Sequence, residues 1–175
     1  TERYDGYGNS IRKIMELKDS NPGILGVIAD IIKVEKQYET AIETALGGTI
    51  QNIVTDKENT AKELINYLKV NKLGRATFLP LNAIHSRNTL ENDNCINEKG
   101  VVGVASNLVR VSFEYEGLAK YLLGRILVVD NIENALVIAR KYKYSLRIVT
   151  LEGEQLNPGG SMTGGAFKNS SNLLG

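Results

Sequence analysis

The segment Asn157-Pro158-Gly159-Gly160-Ser161-Met162-Thr163-Gly164-Gly165 carries two glycine pairs, and its residue types invite chemistry more than any other stretch of the chain. Consecutive glycine amides can form a nest for an anion, above all where a helix begins. The spelling departs from the phosphate loops: no Lys follows Gly164 or Gly165 to complete G-x-x-x-x-G-K-[ST], and there is no G-x-G-x-x-G after a first strand. Two other readings stand beside the phosphate nest, a flexible surface turn and a place where another backbone comes too close for a Cβ. Other chemistry is sparser. His85 and Cys95 are each alone of their kind, so no internal disulfide, zinc cluster or His-based triad is expected. Their ordinary reading is a solvated side chain and an incidental free thiol. Asp30 and Glu43 could in principle serve as acid and base, but no Ser, Cys or His is placed to partner them. The expectation is a domain without catalysis, metal or cofactor.

Composition narrows the class further. With 42% hydrophobic and 23% charged residues, the chain can bury a real core. No apolar run approaches the roughly 18 residues of a membrane span, and the polar start Thr1-Glu2-Arg3 is unlike a signal peptide. A cytoplasmic protein with no membrane partner is expected. Twenty-one basic side chains against twenty acidic ones leave a net charge of +1, so any nucleic-acid binding must come from a local patch.

The elements that position these residues come in two copies. Gly23-Ile24-Leu25-Gly26-Val27-Ile28-Ala29-Asp30-Ile31-Ile32-Lys33-Val34 matches Gly100-Val101-Val102-Gly103-Val104-Ala105-Ser106-Asn107-Leu108-Val109-Arg110-Val111 at a constant offset of 77, with every position identical or chemically similar. Tyr38, Ala41, Ile42, Ala45 and Leu46 then follow helical spacing, as do Tyr115, Leu118, Ala119, Leu122 and Leu123. Gly47 and Gly124 stand where a left-handed residue would end each helix. The β-branched runs Ile50 to Thr55 and Ile126 to Asp130 read as strands. A second helix follows in each copy, with buried faces Ala61, Leu64, Ile65, Leu68 and Ala135, Ile138, Ala139, Tyr142. Strands Ala76 to Leu79 and Leu146 to Leu151 close the units. Ile11, Ile14 and Met15 mark one face of a short leading helix, broken at Asn21-Pro22-Gly23. The stretch 82–99, rich in Asn and charge, has the composition of a linker. Arg75 and Arg147, matched between copies, are read as structural ion-pair residues.

Gly23-x-x-Gly26-Val27-x-x-Asp30, Ala41-Ile42-Glu43-x-Ala45-Leu46-Gly47, and Leu68-Lys69-x-x-Lys72-x-Gly74-Arg75-Ala76-Thr77-Phe78-Leu79-Pro80-Leu81 form an ordered series of motifs. They are followed by Arg147-Ile148-Val149-Thr150-Leu151-x-Gly153, which closes in the double-glycine segment. Together these motifs resemble the hinge domain of structural maintenance of chromosomes (SMC) proteins, best the bacterial condensin type, from Pro22 to about Ala166. The resemblance implies an α+β, mixed α/β fold: two pseudo-symmetric subdomains with mixed sheets. Its divisions are an arm junction at 1–21, subdomain I at 22–81, a linker at 82–99, subdomain II at 100–165 and a second junction at 166–175. It implies a homodimerisation hinge that joins two coiled-coil arms of a chromosome-condensing and chromosome-segregating ATPase associated with the nucleoid. The ATP-binding heads, and through them kleisin and accessory subunits, are expected outside this chain.

The resemblance further assigns Gly159, Gly160, Gly164, Gly165 and Gly103 to the dimer interface. Edge-strand addition needs unpaired main-chain groups and small residues at the seam. DNA is the second implied partner, bound weakly and without sequence preference. Candidate contacts are Arg12, Lys13 and Lys18 near the first junction, Arg140, Lys141 and Lys143 on the second copy's helix, and Lys168 after the last glycines. The alternative reading is a tandem α/β domain that binds a small molecule or nucleotide.

Overall fold

The computed structural model describes residues 8–86 and 88–167, which fall into two compact units. Along the chain the elements are α1 (Asn9–Met15), β1 (Ile24–Val27), α2 (Ile28–Ile31), β2 (Lys33–Val34), α3 (Glu39–Leu46), β3 (Ile53–Thr55), α4 (Glu58–Val70) and β4 (Phe78–Pro80). They continue as β5 (Val101–Val104), β6 (Val109–Arg110), α5 (Glu116–Leu123), β7 (Ile126–Val129), α6 (Ile132–Lys141), β8 (Arg147–Thr150), β9 (Gln155–Leu156) and β10 (Met162–Thr163). Short 3-10 turns join several of them.

The first unit, residues up to Ile31 and Gly48–His85, holds the sheet β1-β3-β4. Strands β1 and β3 run antiparallel, whereas β3 and β4 run parallel and use α4 as the crossover that a parallel pair requires. Ile53 and Val54 are fully buried because the β3 run is apolar on both faces, and Ala61, Leu64 and Leu68 cover it from α4. Ile11, Ile14 and Met15 of α1 are buried as their spacing predicts. Ile65 departs from the expected buried face and is 52% exposed. It stands one position beyond Leu64, about 100° further round the helix, so the apolar stripe is narrower than four such residues suggest.

The second unit, Ile32–Gly47 with the chain from Ser86 onward, repeats that plan and extends it. Its sheet runs β10-β9-β8-β7-β5, with β5 antiparallel to β7 and β7 parallel to β8 across α6. The added β9 and β10 form an antiparallel hairpin on the outer side of β8. Leu127, Val129, Ile148, Ala135 and Ile138 make the core. A separate ribbon pairs β2 with β6.

The duplication extends to single contacts. Both first strands carry a bulge, before Gly26 in β1 and before Gly103 in β5. At the strand entry, Gly23 accepts a hydrogen bond at its carbonyl from the Asp56 amide and Gly100 from the Asp130 amide. Asp56 then accepts from the Thr60 hydroxyl, and Asp130 accepts from the Asn134 amide, each tying the helix start to the strand end. The Thr60 hydroxyl, with help from the Lys57 amide, holds the Asp56 carboxyl below the usual carboxylate range. A Cβ on Gly23 would lie 2.8 Å from Thr60, and one on Gly100 would lie 2.6 Å from both Asp130 Oδ1 and Asn134 Nδ2.

Other expectations need correction. The compact units do not follow the two copies: Ile32–Gly47, from the first copy, groups with the second unit, where α3 packs on α5 and β8. The stretch 82–99 is more than a linker, since Leu90 and Cys95 in its two 3-10 turns are each 1% exposed within the second core. Cys95 is therefore a buried apolar group, and burial pushes its thiol pKa up. Gly47 does have positive φ at the end of α3, but Gly124 ends α5 in right-handed geometry. There glycine answers a steric need, because a Cβ would meet Thr89 Cγ2 at 2.7 Å.

Candidate assembly edges and basic surface

The glycine segment folds as the β9–β10 hairpin, and Asn157 organises its turn. The Asn157 Oδ1 accepts from Arg147 Nη1 at 2.9 Å and from Gln155 Nε2 at 2.8 Å, and its Nδ2 donates to Ser161 Oγ at 3.0 Å. Its backbone N–H donates to the Ser161 carbonyl, while the Gly160 N–H donates to the Asn157 carbonyl. Pro158 supplies a fixed φ suited to a turn. Gly159 and Gly160 follow with φ of +93° and +109°, and Gly165 has +132°. These values explain the glycines locally, since L side chains avoid that region. The Gly159 amide also donates to the Tyr144 carbonyl, which fastens the turn to the loop after α6. In that loop Lys143 and Tyr144 are both left-handed without being glycine.

The turn leaves an open seam. Nothing lies within 4 Å of a Cβ placed on Gly159 or Gly165, whereas one on Gly164 would lie 3.1 Å from Glu154 Cγ. Strand β10 pairs only with β9, so its other edge carries unpaired backbone groups among the described residues. Met162 and Thr163 are exposed there. Strand β4 is likewise an outer strand of its own sheet, and Pro80 at its end is tolerated as edge strands allow. Gly103 sits in β5, at the far side of the five-stranded sheet from β10. A Cβ there would meet Leu108 at an ordinary 3.5 Å. The five glycines assigned together from the sequence thus divide between two edges of one sheet.

The basic residues also divide. Arg12 and Lys18 are exposed at α1 and just after it, and Lys13 reaches Glu16 at 3.9 Å. Arg140 and Lys143 are exposed around the end of α6. Lys141 is committed to an ion pair, with Nζ 2.8 Å from Glu98 Oε2. The Tyr142 hydroxyl donates to the same carboxylate at 2.7 Å. Lys141 first, and Tyr142 second, hold the Glu98 carboxyl below its ordinary value, while that carboxylate pushes the Tyr142 phenol up to about 12. Lys168 lies outside the described residues. Arg147 departs from its ion-pair reading, for its partner is the neutral Asn157; Arg75 makes no ion pair among the described residues, and its carbonyl accepts from Ser10 Oγ at 2.6 Å. Sequence reasoning missed the Glu98–Lys141–Tyr142 cluster and the role of Asn157. Only the turn-forming Asn-Pro-Gly-Gly order pointed to the latter.

Among the described residues, no group of three or more His, Cys, Asp or Glu side chains could hold a metal ion. No helix among the described residues is long and apolar enough to cross a membrane. The fold defines a duplicated mixed α/β domain in which one β–β–α–β unit recurs and the second copy carries an extra edge hairpin. The family model for the flexible hinge domain of SMC proteins matches residues 21–139. The chain belongs to this SMC hinge family.

Its relatives agree. The chromosome partition protein Smc of Desulfitobacterium hafniense is 44% identical over 98% of this chain, which spans 15% of that protein's length. The Geobacillus stearothermophilus SMC hinge domain, solved as an asymmetric dimer, superposes with a TM-score of 0.88 at 40% identity, covering 98% of this chain and 69% of that one. The Pyrococcus furiosus SMC hinge domain gives 0.76 at 36% identity, covering 97% and 86%.

Proposed function

We propose that this domain is a non-catalytic homodimerisation hinge that joins the coiled-coil arms of a chromosome-partitioning SMC ATPase. The observation that carries the reading is the free outer edge of β10, in a segment where the Cβ positions of Gly159 and Gly165 face open space. Such an edge recruits a strand through main-chain hydrogen bonds, and small residues let the two backbones seat. The complementary edge is β4 of a second copy. Because each protomer offers one strand of each kind, two β4–β10 seams related by a two-fold axis satisfy both of these edges in a closed pair. The Geobacillus stearothermophilus hinge, solved as an asymmetric dimer, supports the dimeric reading as such.

Weak, sequence-independent DNA contact accompanies the hinge role, carried by Arg12, Lys18, Arg140 and Lys143, the candidates that form no ion pair among the described residues. Lys141 is the least suited of the candidates, because Glu98 already neutralises it. Arms, heads and the partners of the heads belong to the longer protein, which acts in the cytoplasm on the nucleoid.

Crossed cysteines test the seam. Thr77→Cys in one tagged chain and Met162→Cys in a differently tagged chain should be linked by a short bis-maleimide only when the two are mixed and re-annealed. Cys95, buried, stays silent. Linkage confined to Met162→Cys with itself, or none at all, would reject the β4–β10 pairing.

A further inference from the structure

We propose that the β2–β6 ribbon and the cleft beside it bind a phosphate monoester. Lys33 of β2 lies directly opposite Arg110 of β6 in the ladder. These two residues are also repeat equivalents, 77 positions apart. The ladder register and the duplication offset therefore meet at this pair, so that one cation from each copy faces its own counterpart. Like charges directly opposite each other weaken a strand pair, and a two-residue ribbon has little else to offset that. Both side chains are exposed, and neither forms an ion pair among the described residues. Lys36, which follows β2, and Lys120 of α5 also have no acid partner there. Four cations thus stand on or near the ribbon without an ion pair among the described residues, with Glu35 and Glu116 as carboxylates of the adjoining hollows.

The geometry beside the ribbon suits a small anion. A cleft of about 410 Å³ is lined by Ser106, Asn107, Arg110, Lys120 and Glu116, with Val109 and Ala119 as apolar wall. Arg110 and Asn107 also line an adjoining hollow of about 250 Å³ beside Glu35 and Tyr38. A guanidinium matches two phosphate oxygens at once, a lysine adds a point charge, and a hydroxyl and an amide supply neutral donors. The Asn107 amide is held by Glu91 at 3.4 Å. Glu116 shapes the preference: a carboxylate in the lining disfavours a bare polyanion and accepts a hydroxyl. A sugar or nucleoside monophosphate supplies both the phosphate and the hydroxyl, and a cleft of this size falls in the range of about 300–1,000 Å³ typical of small-molecule sites.

Amide NMR at low ionic strength tests the site on the whole chain, with adenosine monophosphate, inorganic phosphate and a blunt DNA duplex as separate probes. Adenosine monophosphate should shift the amides of residues 33–36 and 106–111 saturably. The double substitution Lys33→Gln and Arg110→Gln should weaken it about tenfold or more, as loss of charge-assisted hydrogen bonds implies. Lys120→Gln, a single surface change, should weaken it by a smaller factor and serves as the check should the double variant lose its native spectrum. Shifts at these amides with the duplex alone would overturn the monoester reading and assign the cations to a nucleic-acid backbone. No shift with any probe, or binding unchanged in the variants, would overturn the proposal. Neither outcome bears on dimerisation, which uses other strands.

Discussion

Gly100 and Gly23 occupy the same place in the two copies, yet the structure predicts that they tolerate alanine unequally. Gly100 has φ of +91°, and its Cβ would lie 2.6 Å from Asp130 Oδ1 and Asn134 Nδ2 and 2.8 Å from Asn134 Cβ. Gly23 has no positive φ, and its Cβ would lie 2.8 Å from Thr60 and 2.9 Å from Asp56 Oδ1. Gly23→Ala should break the Thr60–Asp56 hydrogen bond and displace a buried, β-branched side chain, at a cost of about 1–2 kcal/mol. Gly100→Ala loses the Asp130–Asn134 bond in the same way and adds the strain of a side chain in left-handed backbone, about 1–2 kcal/mol more. Its total is about 2–4 kcal/mol. Urea unfolding followed by far-UV circular dichroism, at one fixed protomer concentration, reads the difference. With a slope near 2 kcal/mol per molar, the midpoint should fall by about 1–2 M for Gly100→Ala and by about half that for Gly23→Ala. Equal losses, or a larger loss for Gly23→Ala, would refute the conformational part of the argument.

Leu90→Ala should cost about 2–5 kcal/mol, as a buried leucine does; a change under about 0.5 kcal/mol would mean that the turn at 90–92 is only a tether. Cys95 should react with a thiol reagent only as fast as the protein opens, and an immediate stoichiometric reaction in native buffer would contradict its burial. The Glu98–Tyr142 pair predicts a pH dependence with two limbs. The folded Glu98 value is depressed, so its contribution is full above the ordinary value of 4.5 and is lost as pH falls through the folded value. The folded Tyr142 value is raised from 10.0 to about 12, so its contribution is full below 10.0 and is lost as pH rises through about 12. Tyr142→Phe should abolish the alkaline limb and weaken the acid one in urea midpoints measured across pH; an unchanged profile would remove the pair from the account.

Much of this architecture was legible because it is written twice. A single β-branched run could be strand or buried helix, but Ile53-Val54-Thr55 and Ile126 to Val129 each stand between the same two neighbours, and both are parallel to the strand after the next helix. What escaped was whatever the repeat does not govern. Local pattern places Glu39–Leu46 in a copy without saying which core will receive its buried face, and α3 joins the second unit. Leu90 and Cys95 sit among Asn, Asp and Glu, so composition hid the two apolar groups that anchor the segment. Gly124 looked like a left-handed helix end because glycine has two uses, freedom of φ and absence of a Cβ, and sequence does not distinguish them. The double glycines were legible as a special backbone. Their local use, a turn built on Asn157, emerged only with Arg147, Gln155 and Ser161 in place around it.

Dimerisation through the glycine-flanked edge is the central claim, and solution mass tests it most directly. Light scattering at micromolar protein should give twice the chain mass of 19.2 kDa. The variant with Gly159, Gly160, Gly164 and Gly165 all changed to Ala should scatter as a monomer while circular dichroism reports the strain that Ala adds at the three positive-φ positions, since about 4 kcal/mol lost at the seam lowers affinity roughly a thousandfold. A folded wild-type chain that scatters at 19.2 kDa would contradict the account.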